Sequence, residues 1–212
     1  DTICRYEYDR LGRRTAAHHR DAGQYRWTYD AQGNLVETTT PGDERVRFLY
    51  DRLMRLVLVA SVDASGTSVP LHRFHYDRSP DGTSVAPNRL CAIEDDAGTT
   101  LIGYALDGTP SYRRRITATG RDLRFDYEHD HRGLMTAAIY PDGTRLDFTY
   151  GAVGELTSVS GIIDDLRYDY RGRPTKIRYA NGVETSITYD ATERPSSIEI
   201  ARAGLVLGKF EQ

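Results

Sequence analysis

The chain has 212 residues and a net charge of -3, because 28 Lys and Arg face 31 Asp and Glu. This balance excludes the basic footprint of a nucleic-acid-binding domain, and 39% hydrophobic residues exclude a chain disordered throughout. With 19 glycines and 8 prolines, collagen-like and low-complexity compositions are excluded too. The unusual feature is 15 tyrosines beside 2 methionines, which favours strands.

No segment of the sequence is typical of a membrane span or a signal peptide. The longest apolar run, residues 56–60, is far shorter than the roughly 20 residues that a spanning helix needs. The chain begins at Asp1 without an initiator Met, so we expect a piece of a longer protein whose targeting signal lies elsewhere. Cys4 and Cys91 match no metal spacing and are expected to be free, buried thiols rather than a disulfide.

A Tyr-Asp dipeptide recurs along the chain and defines a repeat. Its copies, two of them degenerate, begin at positions 8, 29, 50, 76, 129, 150, 168 and 189. Four of the seven intervals between successive copies, including that from 8 to 29, have the same length. The gap between Tyr76 and His129 is long enough to hide two worn copies, and Leu106-Asp107 is a candidate for one of them.

Each repeat predicts two short strands and two turns. A large apolar residue two positions before the Tyr, such as Trp27, puts both side chains on one face of a strand. The Asp ends that strand by accepting backbone N–H groups, and the Gly three positions later supplies a positive φ. A second turn follows, as at Asp142-Gly143 and Asn181-Gly182, where we expect type I′ geometry.

The residues that we assign to structural repeat positions are Tyr and Asp of each copy with the Gly of the turn. They are Tyr8, Asp9, Gly12, Tyr29, Asp30, Gly33, Tyr50, Asp51, Tyr76, Asp77, Asp130, Gly133, Tyr150, Gly154, Tyr168, Asp169, Gly172, Tyr189 and Asp190.

The fold class that follows is all-β, with antiparallel β-hairpin repeats forming a long twisted sheet. One hairpin cannot bury its aromatic face in water, whereas stacked repeats can. We expect one continuous array, with regular hairpins in residues 1–76 and 124–212 and irregular or degenerate repeats, or an insertion, in residues 77–123.

Candidate sites for chemistry are weak. An Asp that recurs at seven turns behaves as a turn former, and no carboxylate pair is singled out for glycoside hydrolysis. His129 and His131 would share a strand face, but no further metal ligands accompany them. Residues 94–98 favour a hairpin turn over a calcium loop. The three arginines at 113–115 favour solvated edge charges, with a docking patch as the alternative. We therefore expect no catalytic, metal or cofactor site.

The repeat resembles the YD repeats of Rhs proteins, and related repeats occur in the BC components of insecticidal Tc toxins and in teneurins. The resemblance is carried by the Tyr-Asp-x-x-Gly-Arg strings at 8–13 and 168–173 and by the turn at 141–143, and it covers about residues 5–200. It implies a sheet that spirals into a hollow shell. In bacterial members this shell encloses the variable C-terminal toxin of the same polypeptide. The family's self-cleaving Asp-Pro segment is absent from this sequence, so neither protease nor toxin activity is assigned.

The resemblance implies a non-catalytic shell segment of a secreted or cell-surface-delivered bacterial protein. Its implied partners are the remaining repeats of the parent protein, the enclosed toxin, and secretion or injection machinery, with no nucleic acid and no membrane span. The alternative is a surface module that binds glycan or protein through its aromatic row. Buried rings at positions 29, 50, 150, 168 and 189 would favour the shell, and exposed rings the binder. An enzyme would need a pocket in residues 77–123.

Overall fold

The computed structural model describes residues 4–211, which form 19 β-strands and no helix. Two compact units cover the chain, Asp1–Leu123 and Arg124–Gln212. Within the described residues there is accordingly no helix long and apolar enough to cross a membrane. The predicted all-β class of antiparallel hairpins is confirmed.

In the first unit each strand pairs antiparallel with the next strand in the chain. The strands are β1 (Cys4–Tyr8), β2 (Arg14–His19), β3 (Gly23–Tyr29), β4 (Leu35–Thr39), β5 (Arg45–Tyr50), β6 (Leu56–Val62), β7 (Ser68–Arg78), β8 (Val85–Asp95), β9 (Gly98–Tyr104) and β10 (Pro110–Thr117).

The second unit repeats the same plan of consecutive antiparallel pairs. Its strands are β11 (Asp122–His129), β12 (Met135–Ile139), β13 (Arg145–Tyr150), β14 (Leu156–Val159), β15 (Ile163–Tyr168), β16 (Pro174–Tyr179), β17 (Val183–Tyr189), β18 (Pro195–Arg202) and β19 (Leu205–Glu211).

Most hairpin turns share one hydrogen-bond pattern. After β1, the Asp9 N–H donates to the Arg13 carbonyl at 2.9 Å, and the Gly12 N–H donates to the Asp9 carbonyl at 3.1 Å. Gly12 has a φ of 76°. This is the three-residue loop in which a type I turn is followed by one left-handed residue.

The type I′ prediction for the second turns was wrong. At residues 142–143 and 181–182 only the glycine has a positive φ, 85° and 79°, whereas type I′ requires two consecutive left-handed residues. The three-residue loop needs only one such residue, because the bulge at the glycine supplies the twist that joins the strands. Two consecutive left-handed residues occur between β18 and β19, at Ala203 (48°) and Gly204 (80°).

Alternation along the strands separates apolar from charged side chains, as the period of two requires. In β3, Tyr25, Trp27 and Tyr29 are half-buried on one face, while Arg26 and Thr28 on the other face are exposed. The rings of Tyr25 and Trp27 stack with centroids 6.3 Å apart.

Small side chains make up most of the fully buried core. Alanines at strand centres, such as Ala60 and Ala137, are buried, as are Leu101 and Cys91. Both cysteines are free, as predicted, but only Cys91 is buried, since Cys4 is half-buried.

Candidate functional site

The Asp of the repeat holds its turn by accepting two backbone N–H groups. Oδ1 of Asp9 accepts from Leu11 and from Arg13, both at 2.9 Å. Because the carboxylate satisfies donors that the turn would otherwise leave without a partner, it ends the strand and orders the loop. The same pair of bonds is made by Asp51, Asp130, Asp169 and Asp190.

An arginine five positions after the Tyr links this turn to the next repeat. Arg13 donates from Nε to Asp9 Oδ2 at 2.6 Å, and its guanidinium carbon lies 4.7 Å from the centroid of the Tyr29 ring. Its Nη1 donates to the carbonyl of Asp30 at 3.3 Å. We call this set of Asp, Arg and the Tyr of the following repeat the clamp.

The clamp recurs twice more, with an ion pair and a cation–π contact each time. Arg55 binds Asp51 at 2.7 Å and lies 4.4 Å from the Tyr76 ring centroid. In the second unit, Arg173 joins Asp169 to Tyr189, with an Nε bond of 2.8 Å and a ring distance of 4.2 Å. The sequence motif contains this arginine, but the sequence analysis did not predict its contact with the tyrosine of the next repeat.

The tyrosine hydroxyl makes a second link between repeats. It donates to a carbonyl at the start of the preceding repeat's second strand. The pairs are Tyr29 to Arg14 (3.0 Å), Tyr50 to Leu35 (2.9 Å), Tyr150 to Met135 (2.9 Å) and Tyr189 to Pro174 (2.9 Å).

The five rings chosen to discriminate shell from binder are half-buried, neither fully buried nor fully exposed. Four of them use their hydroxyls in the internal bonds just described. Tyr168 is the exception. Ring burial therefore favours neither the shell nor the binding module, although four of the five hydroxyls bond within the sheet.

A repeat copy that the sequence analysis missed begins at Tyr104. Its hydroxyl donates to the Leu90 carbonyl at 2.9 Å, and Arg89 lies 5.1 Å from its ring centroid. Ala105 takes the position of the Asp, with its N–H bound to the Thr109 carbonyl at 2.8 Å.

The candidate copy at Leu106-Asp107 was therefore misplaced by two positions, and the gap holds one copy. Alanine in the Asp position hid the motif, and the intervals from Tyr76 to Tyr104 and from Tyr104 to His129 are both longer than the regular one. The remaining signals are the apolar Ile102 two positions before the Tyr and Gly108 four positions after it, which has a φ of 86°.

Asp77 differs from the other repeat aspartates because it does not start a turn. It lies within β7 with a φ of 67°, and Tyr76 pairs with Leu90 rather than with a residue six positions later. The intervening residues form an excursion. The Asp77 carboxylate binds the Asn88 N–H at 2.6 Å and Arg55 at 2.8 Å.

The proposed shared face of His129 and His131 was wrong. His129 ends β11, and His131 lies in the turn that follows, because Asp130 begins that turn. Among residues 4–211 no group of three metal-ligating side chains is present.

Residues 94–98 form the predicted hairpin turn, with Asp95 opposite Gly98. Nearby, an open depression of about 250 Å³ is lined by residues 70–73 and 94–96. Its Asp95 is held by Arg115 at 2.5 Å, and Arg115 also donates to Thr100. The arginines at 113–115 lie in β10, where two of them form ion pairs.

Hydrogen bonding keeps the turn carboxylates charged. The Arg13 backbone N–H is the largest cause that lowers the pKa of Asp9, with further bonds from the Arg13 side chain and the Leu11 N–H. For Asp169, burial acts to raise the pKa, but the bonds from Arg173 outweigh it and the net pKa is lowered. An acceptor-only carboxylate suits a turn anchor rather than a proton donor.

The RHS repeat family model matches residues 29–68, which contain the turns after Tyr29 and Tyr50. Residues 29–68 thus carry a recognisable RHS repeat. The predicted resemblance to Rhs proteins is confirmed.

One sequence match and several solved structures resemble this chain. The toxin protein Tse5 of Pseudomonas aeruginosa is 29% identical over 177 residues, which are 79% of this chain and 12% of Tse5. The crystal structure of TcdB2-TccC3 superimposes with a TM-score of 0.85 at 20% identity, and a Photorhabdus luminescens Tc holotoxin pore with 0.84 at 19%. Both structural matches cover 100% of this chain and 12% of theirs, and they show the fold alone.

Proposed function

We propose that this RHS/YD array is a non-catalytic wall segment of a shell that encloses a C-terminal toxin of the parent polypeptide for delivery. The observation that carries the proposal is the clamp. The Asp, Arg and Tyr side chains that could otherwise serve chemistry or ligand binding are bound to one another across successive repeats, as in Asp9, Arg13 and Tyr29. A sheet fastened in this way suits containment.

The relatives support the link to toxins. Tse5 is itself named a toxin protein, and the whole of this chain superimposes on components of a Tc holotoxin pore. Since this chain spans 12% of those proteins, the rest of the wall is supplied by further repeats of the parent. Its partners are then those repeats, the enclosed toxin and a secretion or injection apparatus, and the parent is secreted or delivered at the cell surface.

The proposal treats residues 1–76, 77–123 and 124–212 as one array without cofactor or catalytic group. An enzyme would need its pocket in residues 77–123. This region instead contains the consecutive strands β8, β9 and β10. Two carboxylates of that region have partners, since Asp95 forms an ion pair with Arg115 and Glu94 lies 3.2 Å from His75 Nε2. Such pairing supports a structural role for them.

Protease protection of the passenger in the full-length parent protein tests the proposal. Arg13→Ala together with Arg173→Ala removes two clamps, and Arg5→Ala with Arg167→Ala, both at exposed side chains, is the matched control. We expect the C-terminal region to be protected in the parent and in the control, and to be cleaved faster in the clamp variant. If the C-terminal region is cleaved rapidly, and at the same rate, in all three proteins, that result would contradict enclosure.

A surface binding module is the second candidate, favoured by the exposed rings of Tyr8 (59%) and Tyr170 (88%). Exposed aromatic rings stack on sugars. Titration with soluble cell-wall glycan fragments tests it, and loss of binding in Tyr8→Ala with Tyr170→Ala would support it.

A further inference from the structure

The junction between the repeats that begin at Tyr150 and Tyr168 has no clamp. Gly151 stands in the Asp position, and Glu155 stands in the Arg position. Within the described part of the chain, no guanidinium lies over the Tyr168 ring and the Tyr168 hydroxyl makes no hydrogen bond. Both of the links found at the Tyr189 junction are therefore missing here.

The carboxylate of Glu155 supports the turn but makes no link to the tyrosine of the next repeat. Glu155 Oε2 accepts the Val153 N–H at 3.2 Å, which is the equivalent of the bond from Leu11 to Asp9. A Cβ atom at Gly151 would collide with this carboxylate. Glu155 thus fills the space of the missing Asp side chain. Because Glu155 replaces the arginine of the clamp, that position offers no cation to the Tyr168 ring.

Strand pairing is also shortest at this junction among those of the second unit. Among the strands of residues 4–211, β14 is the shortest, and β14 and β15 are in register only at Val159 opposite Ile163. The equivalent junction between β16 and β17 is in register from Lys176 to Arg178. The interval from Tyr150 to Tyr168 is shorter than the regular one. The carbonyl that the Tyr168 hydroxyl would reach by the usual spacing therefore belongs to the turn residue Val153 and not to the start of a strand.

We propose that the β14–β15 junction is the weakest joint between repeats of the second unit and the place where successive repeats of that unit separate first. In a repeat array, stability is the sum of the repeats and of the contacts between neighbours. A junction with fewer links opens at a lower free energy than its neighbours. Residues 163–211 then separate from residues 124–159 as one body. The inference rests on the junction geometry and is independent of what the shell contains.

Hydrogen exchange of the 212-residue chain, read by mass spectrometry, tests this. We expect the amides of β14 and β15 to exchange about fivefold faster than those of β16 and β17, as one ion pair and one cation–π contact imply. Gly151→Asp with Glu155→Arg installs a clamp and is expected to slow exchange at β14–β15. Gly151 does not have a positive φ, so Asp fits its backbone.

The reverse transplant is the matched control. Asp169→Gly with Arg173→Glu removes the clamp to Tyr189 and is expected to speed exchange at β16–β17 about fivefold. Amides of β5 and β6 in the first unit serve as the internal reference and are expected to stay unchanged. Equal exchange at the two junctions of the parent chain overturns the proposal, as does an installed clamp that leaves exchange at β14–β15 unaltered.

Discussion

The hydroxyl of Tyr189 donates a hydrogen bond of 2.9 Å to the carbonyl oxygen of Pro174. Pro174 begins β16 and pairs with Tyr168, the tyrosine of the preceding repeat. The bond therefore connects the start of one hairpin to the aromatic ring of the next. It gives a physical reason for tyrosine rather than phenylalanine at this position, because a phenyl ring would leave the carbonyl without its donor.

Tyr189→Phe removes this donor while keeping the ring. We expect it to lower the free energy of unfolding by about 1 kcal/mol, the net contribution of one such hydrogen bond. Urea unfolding followed by circular dichroism measures the change. Tyr170→Phe is the control, since Tyr170 is 88% exposed and its loss should have little effect. Equal midpoints for Tyr189→Phe and the parent chain would show that the hydroxyl contributes nothing.

Arg173→Lys retains the charge of the clamp but not its planar fork. Lysine cannot both bind Asp169 through parallel N–H groups and stack on the Tyr189 ring as the guanidinium does at 4.2 Å. We expect a loss of roughly 1 kcal/mol of stability, from the cation–π contact and part of the ion pair. Arg167→Lys, at a side chain 66% exposed, is the comparison. A loss no larger than in Arg167→Lys would refute the role of the fork.

Met54→Gly is expected to stabilise the chain. Met54 occupies the turn position where other copies have glycine, with a φ of 61°, and its side chain is exposed. Relief of left-handed strain is worth about 1–2 kcal/mol, and the extra freedom of glycine in the unfolded chain takes back about 0.5–1 kcal/mol. The net gain, between about 0 and about 1.5 kcal/mol, is measured by thermal unfolding.

Gly12→Ala is the reverse of this change at an equivalent turn. Gly12 has a φ of 76°, and nothing lies within 4 Å of the position that a Cβ would take. Left-handed strain of about 1–2 kcal/mol, less the roughly 0.5–1 kcal/mol gained because alanine has less freedom than glycine in the unfolded chain, should therefore destabilise the chain by about 1 kcal/mol. A neutral Gly12→Ala variant would mean that the turn adjusts its φ without cost, and the Met54→Gly gain should then also be absent.

Acid should destabilise the array below about pH 4. The repeat carboxylates, including Asp9 and Asp51, have folded pKa values below the ordinary 3.8, caused first by backbone hydrogen bonds from Arg13 and Arg55. Groups with a lowered folded pKa contribute stability that is complete above the unfolded pKa and is lost as the pH falls through the folded pKa. Unfolding midpoints measured from about pH 6 to about pH 2 should fall, and Asp51→Asn should fall less steeply. An identical slope for Asp51→Asn would remove Asp51 from the explanation.

The repeat and its turns were predictable because each is local in sequence. Tyr, Asp and Gly at fixed spacing specify a strand end and a left-handed residue within a few positions. Tyr104 escaped detection because Ala105 replaces the Asp, although the three-dimensional role of the copy survives. The type I′ prediction failed because Asp-Gly also suits a three-residue loop. The length of the loop depends on where strand pairing ends, which the dipeptide does not specify.

The all-β class, the hairpin period and the resemblance to RHS repeats could be predicted from the sequence, since they follow from short-range patterns repeated many times. The roles of Arg13, Arg55 and Arg173 depend on three-dimensional packing, because each contacts the ring of the following repeat across a strand pair. The missing clamp at Gly151 and Glu155 likewise depends on packing, because the Glu155 carboxylate occupies the space beside Gly151. A carboxylate can occupy the same space from either side of a turn, and only packing shows which side supplies it.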